Sequence, residues 1–201
     1  MTEDLVFDTD CISSFLWVGE EKLLLNLYPG YQQRVNFSQV TIFYPSLIGQ
    51  MILPKQVYYE LSNPSVPHLG LRIRELCESG NLRVAPILLD TEEYEIYYEL
   101  ATSPPKGDIV IGKGEAAAIA LAKSCDAILA SNNLKDVSKY VVKFGLKHFT
   151  TGEILIDALN RGYINVSEGD TIWQRMLSKR RFLPTSSFSS YLKALNDSPI
   201  A

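Results

Sequence analysis

The chain has 201 residues, of which 46% are hydrophobic and 21% are charged, so its composition is that of a globular protein and excludes a disordered chain. Its formal net charge of −4 excludes a strongly basic coat, so any contact with nucleic acid must come from a local patch. Three widely spaced cysteines and two histidines disfavour a disulfide framework and a Cys/His zinc site.

The N-terminal half alternates short apolar runs with amphipathic segments, which predict strands and helices respectively. In chain order we predict a strand at 5–7, helices at 9–17 and 20–27, an ambiguous strand at 40–44, a strand at 51–53, and helices at 54–61 and 68–78. Thr9 or Asp10 is expected to cap the first helix, and Pro54 is expected at the first position of the helix that it begins.

The C-terminal half continues the alternation. In chain order we predict a strand at 82–85, a helix at 91–101, a break at 103–107, a helix at 114–123, a strand at 127–130, a helix at 136–144, a strand at 147–149 and a helix from Thr151 to Gly162. The last forty residues predict two helices, near 168–179 and 187–195. Strands separated by helices imply an α/β fold with a central parallel sheet.

Polar side chains from several parts of the chain are predicted to meet at one edge of this sheet. They are Asp8 and Asp10 after the first strand, Glu115 at the start of a helix, and Ser131, Asn132 and Asn133 after the strand at 127–130. Ligands bind at the carboxyl ends of the strands in such a sheet. Clustered carboxylates repel one another unless a cation is present, and Mg²⁺ or Mn²⁺ prefers oxygen ligands. The pattern therefore predicts a metal-dependent nuclease or phosphatase.

Each acid also fits a purely structural role when it is taken alone. Asp8 can cap a helix, and an acid in a first helical turn, such as Asp10, Glu115 or Asp136, interacts favourably with the helix dipole. Glu60 lies inside a predicted helix, where most glutamates are solvated. The functional interpretation depends on the acids as an ordered set.

Four motifs, in this order, resemble those of the PIN-domain nucleases over Leu5–Ile164. They are LVFDTDCISSF at 5–15, ILPKQVYYELS at 52–62, GKGEAAAIALAKSCDAILASNNLKDV at 112–137 and FTTGEILIDALNRGYI at 149–164. The resemblance implies a three-layer α/β/α PIN-like fold at 1–164, with a C-terminal helical extension at 165–201 packed on it. It also implies cleavage of RNA or DNA with Mg²⁺ or Mn²⁺. In this comparison Asp8 matches the first metal ligand, Glu60 the second acid and Glu115 the third.

The fourth acidic position departs from the family pattern. The family usually has Asp after the strand, whereas the turn here reads SNNLKD at 131–136. Asn133 aligns with the missing Asp and can bind a metal through its oxygen, but it adds no charge. Asp136 lies three residues later, so it either substitutes as the fourth acid or the site is inactive, and we favour substitution. Asp10, Ser131 and Asn132 are expected to surround the metal ligands.

A basic stripe near this turn is the predicted RNA surface. Lys135, Lys139 and Lys143 are spaced four apart, on one face of a predicted helix, and Lys113 precedes Glu115. These lysines suit RNA phosphates, although a solvated helix face explains the same spacing. The basic run at 179–181 fits a contact with RNA, but it is interpreted as surface charge because that is more common for such runs.

The resemblance also implies partners and a location. Many bacterial members are toxins of toxin–antitoxin pairs, so we expect RNA as substrate, an antitoxin protein as partner and a homodimer. No apolar run is long enough to span a membrane and no signal peptide is visible, which predicts a cytoplasmic protein. The apolar residues from Trp17 to Tyr28 fit an antitoxin groove, although core packing is the simpler account.

The predicted function is that of a metal-dependent ribonuclease, with two alternatives. The first is a degenerate PIN domain that binds RNA or a protein without cleaving, because Asn133 replaces an acid. The second is a haloacid-dehalogenase-like phosphatase, because the sequence FDTD at 7–10 resembles the nucleophile motif of that family. That alternative assigns no role to Glu60 or Glu115.

Overall fold

The computed structural model describes residues 3–29, 49–104 and 109–197. Within these ranges the strands are β1 (Leu5–Phe7), β2 (Met51–Pro54), β3 (Leu82–Ala85), β4 (Ile128–Ala130) and β5 (His148–Phe149). The helices are α1 (Thr9–Val18), α2 (Glu21–Leu27), α3 (Lys55–Leu61), α4 (Pro67–Glu78), α5 (Glu92–Thr102), α6 (Lys113–Ser124), α7 (Leu134–Phe144), α8 (Thr151–Asn160), α9 (Val166–Ser178) and α10 (Phe188–Asp197). In this part of the chain, every helix is too short or too polar to cross a membrane.

The strands form one parallel sheet in the order β3-β2-β1-β4-β5. Leu5 of β1 pairs with Met51 on one side and with Ile128 on the other. The chain first extends the sheet from β1 through β2 and β3, and later returns to the other side of β1 with β4 and β5. The crevice between the carboxyl ends of β1 and β4 is therefore the topological switch point, which is the usual ligand site of such sheets.

Helices cover both faces of the sheet. Successive strand residues point to opposite sides, so an apolar strand such as β1 has apolar side chains to bury on each face. Leu5 and Phe7 pack in the core that contains α1, α4, α8, α9 and α10. Val6 packs in a second core, which contains α5, α6 and α7. The result is the predicted three-layer α/β/α architecture with a central parallel sheet.

The C-terminal helices pack into the larger of these cores. Trp173 and Met176 of α9 and Phe188 of α10 are completely buried there. The ring of Phe188 lies so close to Gly169 that a Cβ atom at that position would collide with it. These contacts agree with an extension packed on the sheet domain, whereas the boundary between residues 164 and 165 stays a prediction.

The structure decides or corrects three details of the predicted helix starts. Asp8, in its alternative role as a cap, and not Thr9 or Asp10, caps α1, because Asp8 has the extended backbone of a cap and accepts the N–H of Thr9. Pro54 ends β2 and precedes the first turn of α3. Helix α7 begins at Leu134, which places Asp136 in its first turn. The ambiguous strand at 40–44 and residues 105–107 of the predicted break lie outside the described residues.

Candidate functional site

Asp8 lies at the switch point, directly after β1, and is only 3% exposed. Its carboxylate accepts hydrogen bonds from the N–H of Thr9 at 2.6 Å and from the hydroxyl of Ser131 at 2.8 Å. Burial raises the pKa of Asp8 well above its usual value, and the negative charges of Asp10 and Glu115 raise it further, so together they outweigh both hydrogen bonds. A bound cation relieves this kind of repulsion.

Asp10 lies in the first turn of α1 and faces the turn that follows β4. Its Oδ1 atom accepts the backbone N–H of Asn132 at 3.1 Å. The Asn132 side chain then makes two hydrogen bonds to Thr151: its Nδ2 atom donates to the hydroxyl at 2.9 Å and its Oδ1 atom accepts the N–H at 2.8 Å. Asn132 therefore joins the first turns of α1 and α8.

Asn133 connects the acids of two helices. Its side-chain Nδ2 atom donates to Oε1 of Glu115 at 3.1 Å and to Oδ2 of Asp136 at 2.8 Å. Its backbone N–H donates to the Ser131 hydroxyl at 3.2 Å, and that hydroxyl donates to Asp8. The side-chain amide is oriented with its nitrogen toward the two acids, because an amide oxygen cannot donate a hydrogen bond to a carboxylate. The structure thus brings both candidates for the fourth position, Asn133 and Asp136, to Glu115.

Glu60 occupies the exposed rim of the same site. The hydroxyl of Thr9 donates a hydrogen bond to the Glu60 carboxylate, which ties α3 to the first turn of α1. A Cβ atom at Gly114 would lie 2.9 Å from Oε1 of Glu60, and one at Gly112 would collide with the carboxylate of Glu115. These two glycines therefore leave the space that the two carboxylates occupy.

The donor set suits a hard divalent cation, because Asp8, Asp10, Glu115 and Asp136 supply the carboxylate oxygens that Mg²⁺ and Mn²⁺ prefer. Among the described residues, however, no three Asp, Glu, His or Cys side chains converge as a ready metal site. Three of the oxygens that a metal would use, on Asp10, Glu115 and Asp136, accept hydrogen bonds from Asn132 and Asn133. A cation in this cluster would therefore compete with those hydrogen bonds.

The four lysines predicted to contact RNA are all exposed. Lys113 begins α6 beside Glu115, and Lys135 lies in the first turn of α7 beside Asp136. Farther along α7, the ammonium group of Lys139 lies 4.6 Å from the ring centroid of Tyr140, and Lys143 forms a 2.8 Å ion pair with Glu99 of α5. Lys113 and Lys135 are thus within two residues of the acids in sequence, whereas Lys143 forms an ion pair with α5.

Arg181 reaches the site although its basic run was interpreted as surface charge. Its Nη1 atom donates to the hydroxyl of Ser13 in α1 at 3.0 Å. Burial raises the pKa of Asp10, and the charge of Arg181 acts against that shift. The sequence shows three basic residues at 179–181, but Arg180 has a left-handed backbone with φ of 57°, and no sequence pattern shows which neighbour then turns inward.

Two more residues that sequence analysis gave no role support the turn after β4. Thr151, which is completely buried, is the residue that holds Asn132. The Nε2 atom of His148 lies 2.8 Å from the carbonyl oxygen of Ser131. The sequence shows the paired threonines of the fourth motif and the single histidine of β5. It does not show what these side chains contact, because those contacts depend on how β4 and β5 are paired.

The comparisons with known proteins identify the family. The sequence model of the PIN-domain family matches residues 36–197, which include Glu60, Glu115, Asn133 and Asp136 but not Asp8. The structure of VapBC-1 from nontypeable Haemophilus influenzae is similar at 17% sequence identity and a TM-score of 0.46, and the alignment covers 73% of this chain and 97% of that chain. No curated protein matches the chain. Because the family model covers most of the sequence, this protein belongs to the PIN-domain family.

Proposed function

We propose that this protein is a metal-dependent endoribonuclease that hydrolyses RNA phosphodiesters. The observation that carries the proposal is the buried carboxyl of Asp8 beside Asp10 and Glu115, at the switch point between β1 and β4. Membership in the PIN-domain family, whose members are typically nucleases, supports it. It also weighs against the phosphatase alternative, because the FDTD motif then lies in a PIN-domain chain and not in one of the phosphatase family.

In this proposal Asp8, Glu115, and Asn133 or Asp136 hold the metal, and Glu60 acts from the rim. A bound Mg²⁺ or Mn²⁺ supplies an activated water and stabilises the charge that develops on the phosphodiester. Ser131 orients the Asp8 carboxylate through its hydroxyl, and Asn132 holds the first turn of α1 in place through Asp10. Lys113 and Lys135 supply positive charge for the RNA backbone next to the acids.

A binding module without cleavage is the second candidate, and one observation favours it. The Asn133 amide donates to both Glu115 and Asp136, so a neutral group stands where the family usually has an acid. If these hydrogen bonds outcompete the metal, the site keeps its shape and does not cleave.

We also propose the toxin role, with an antitoxin as partner and a homodimer, on the resemblance to PIN-type toxins. A groove of about 460 Å³ between α2 and α4 supports it, because Leu25 and Leu76 line the groove together with the ion-paired Glu21 and Arg72. Co-expression with the product of the neighbouring reading frame tests it. A stable complex that Leu25→Asp disrupts is the expected result, and the absence of a complex contradicts it.

The nuclease proposal is tested by incubating the protein with RNA and with p-nitrophenyl phosphate, in Mn²⁺ or in EDTA. We expect RNA cleavage that requires Mn²⁺ and that Asp8→Asn abolishes. Asp90→Asn is the matched control, because Asp90 is exposed and its left-handed backbone, with φ of 62°, suits asparagine. RNA binding without cleavage would favour the second candidate, and turnover of p-nitrophenyl phosphate alone would contradict both.

A further inference from the structure

A cavity of about 380 Å³ lies between the C-terminal extension and the turn after β4. This volume is within the roughly 300–1,000 Å³ that is typical of small-molecule sites. The extension contributes Phe182 and Tyr191, and the sheet domain contributes Asn132, His148, Thr150 and Glu153. The proposed function leaves this cavity without a role.

The cavity adjoins the acid cluster through its walls. His148 contacts the carbonyl oxygen of Ser131, whose hydroxyl donates to Asp8. The backbone N–H of Asn132 donates to Asp10. The turn that lines the cavity is therefore the same turn that contacts Asp8 and Asp10.

Phe182 is 84% exposed at the cavity, which is a large fraction for a phenylalanine. The backbone beside it is anchored, because the neighbouring Arg181 donates from its side chain to Ser13 of α1 and from its backbone N–H to the carbonyl of Met176. An aromatic face held in water beside a cavity suits a flat, aromatic ligand. The Glu153 carboxylate, which also lines the cavity, already accepts hydrogen bonds from Thr150 and Tyr191, and its negative charge disfavours a phosphate there.

We propose that this cavity binds one nucleobase of single-stranded RNA, stacked on Phe182, beside the phosphate that the acid cluster takes, an inference that rests on the proposed function. Bases of single strands are recognised by stacking on aromatic side chains and by hydrogen bonds to their edges, whereas a base inside a duplex is not available for this. The C-terminal extension thereby contributes directly to the choice of substrate.

The test is a binding measurement on the full chain in EDTA, so that neither metal nor cleavage is involved. Adenosine, cytidine, guanosine and uridine 5′-monophosphates are titrated and followed by the NMR signals of His148 and Leu134, with ribose 5-phosphate as the probe that lacks a base. We expect at least one nucleotide to bind about fivefold or more tightly than ribose 5-phosphate. Phe182→Ala should weaken that binding about five- to hundredfold, whereas Phe182→Trp should retain it.

Val142→Ala is the matched control, because Val142 is 83% exposed on α7 and does not line the cavity. Equal binding of ribose 5-phosphate, unchanged binding in Phe182→Ala, or an effect of Phe182→Ala on oligomeric state alone would overturn the proposal. Base-dependent binding by a protein that does not cleave RNA would support the subsite and contradict the nuclease function. Mn²⁺-dependent cleavage without nucleotide binding would overturn the subsite alone.

Discussion

The Nδ2 atom of Asn133 lies 2.8 Å from Oδ2 of Asp136, and this amide also reaches Glu115 on the neighbouring helix. A neutral donor thus separates two carboxylates that would otherwise repel each other in the absence of a metal. In the proposed alignment, the same amide stands at the position where the family usually has an acid. We therefore expect Asn133 to stabilise the metal-free site and to weaken the attraction of the site for a cation.

Replacing Asn133 with Asp should reverse both effects. Without metal, Asn133→Asp removes two hydrogen bonds to charged groups and adds a charge, so the free energy of unfolding should fall by about 1–3 kcal/mol. This corresponds to a decrease in Tm of about 2–4 °C per kcal/mol for a chain of this size. With Mn²⁺, the added charge should strengthen binding, so that Mn²⁺ raises the Tm of the variant more than that of the wild type.

Thermal unfolding in EDTA and in Mn²⁺ measures both quantities. Asn196→Asp is the control, because it adds the same charge at an exposed position of α10. An Asn133→Asp variant as stable as the wild type in EDTA would contradict the role assigned to the amide.

Replacing Asp8 with Asn should separate stability from metal binding. Asparagine is as good a helix cap as aspartate, so α1 keeps its start, while the variant loses a buried charge beside Asp10 and Glu115. We therefore expect Asp8→Asn to be at least as stable as the wild type in EDTA and to lose the increase in Tm caused by Mn²⁺. Calorimetric titration with Mn²⁺ checks the loss directly, and unaltered affinity would exclude Asp8 as a ligand.

A methyl group at Gly114 should displace Glu60 without unfolding the protein. The added Cβ atom would lie 2.9 Å from Oε1 of Glu60, a flexible and exposed side chain that can move away. Alanine also favours a helix over glycine by up to about 1 kcal/mol, so the stability of Gly114→Ala should be maintained. RNA cleavage should fall, which a gel assay measures.

Gly70→Ala is the control for this substitution. Gly70 is also helical, and its added Cβ atom would make only ordinary contacts, at 3.5 Å or more, with α3 and the residue that follows it. Equal cleavage by both alanine variants would show that the position of Glu60 does not matter.

The capping box of α8 should make part of the stability dependent on pH. Burial acts to raise the pKa of Glu153, but hydrogen bonds from Thr150 and Tyr191 outweigh it and leave the pKa lowered. Because the folded pKa is lowered, the ionised form contributes stability above the ordinary glutamate pKa of about 4.3, and this contribution is lost as the pH falls through the folded value. Glu153→Gln should therefore cost about 1–2 kcal/mol at pH 7 and progressively less below about pH 4.

Urea unfolding across this pH range measures the difference. Glu168→Gln provides the comparison, because Glu168 completes the same kind of capping box in α9 at an exposed position and, among the described residues, does not accept a hydrogen bond from a tyrosine. A constant difference between wild type and Glu153→Gln from pH 3 to pH 7 would be inconsistent with a lowered pKa.

The sequence predicts most of the fold because its local patterns and its tertiary structure agree. Each apolar run that became a strand is short and bounded by polar residues or turns, as at Leu5–Phe7, and helix ends coincide with glycines such as Gly145. The start of α1 at Thr9 is predicted correctly, but its capping residue is not, because Thr9, Asp10 and Asp8 are all good caps and only the backbone conformation distinguishes them.

The sequence predicts which segments meet at the site. It does not predict which atoms form hydrogen bonds there. Asp8 and the turn after β4 meet because both follow strands, which a parallel sheet brings together. The direction of the Asn133 amide depends on the separation of α6 and α7, and the approach of Arg181 depends on the packing of the extension against α1. Neither of these distances between elements is encoded in a local pattern.

The hydrogen bond between Ser131 and Asp8 joins residues 123 positions apart, and Arg181 reaches α1 from still farther along the chain. Since the N-terminus of a growing chain leaves the ribosome first, Asp8 emerges long before the residues that complete its surroundings. A chain from which Ser131 and Arg181 have not yet emerged therefore has no assembled acid cluster, so the proposed cleavage can begin only after these residues have left the ribosome.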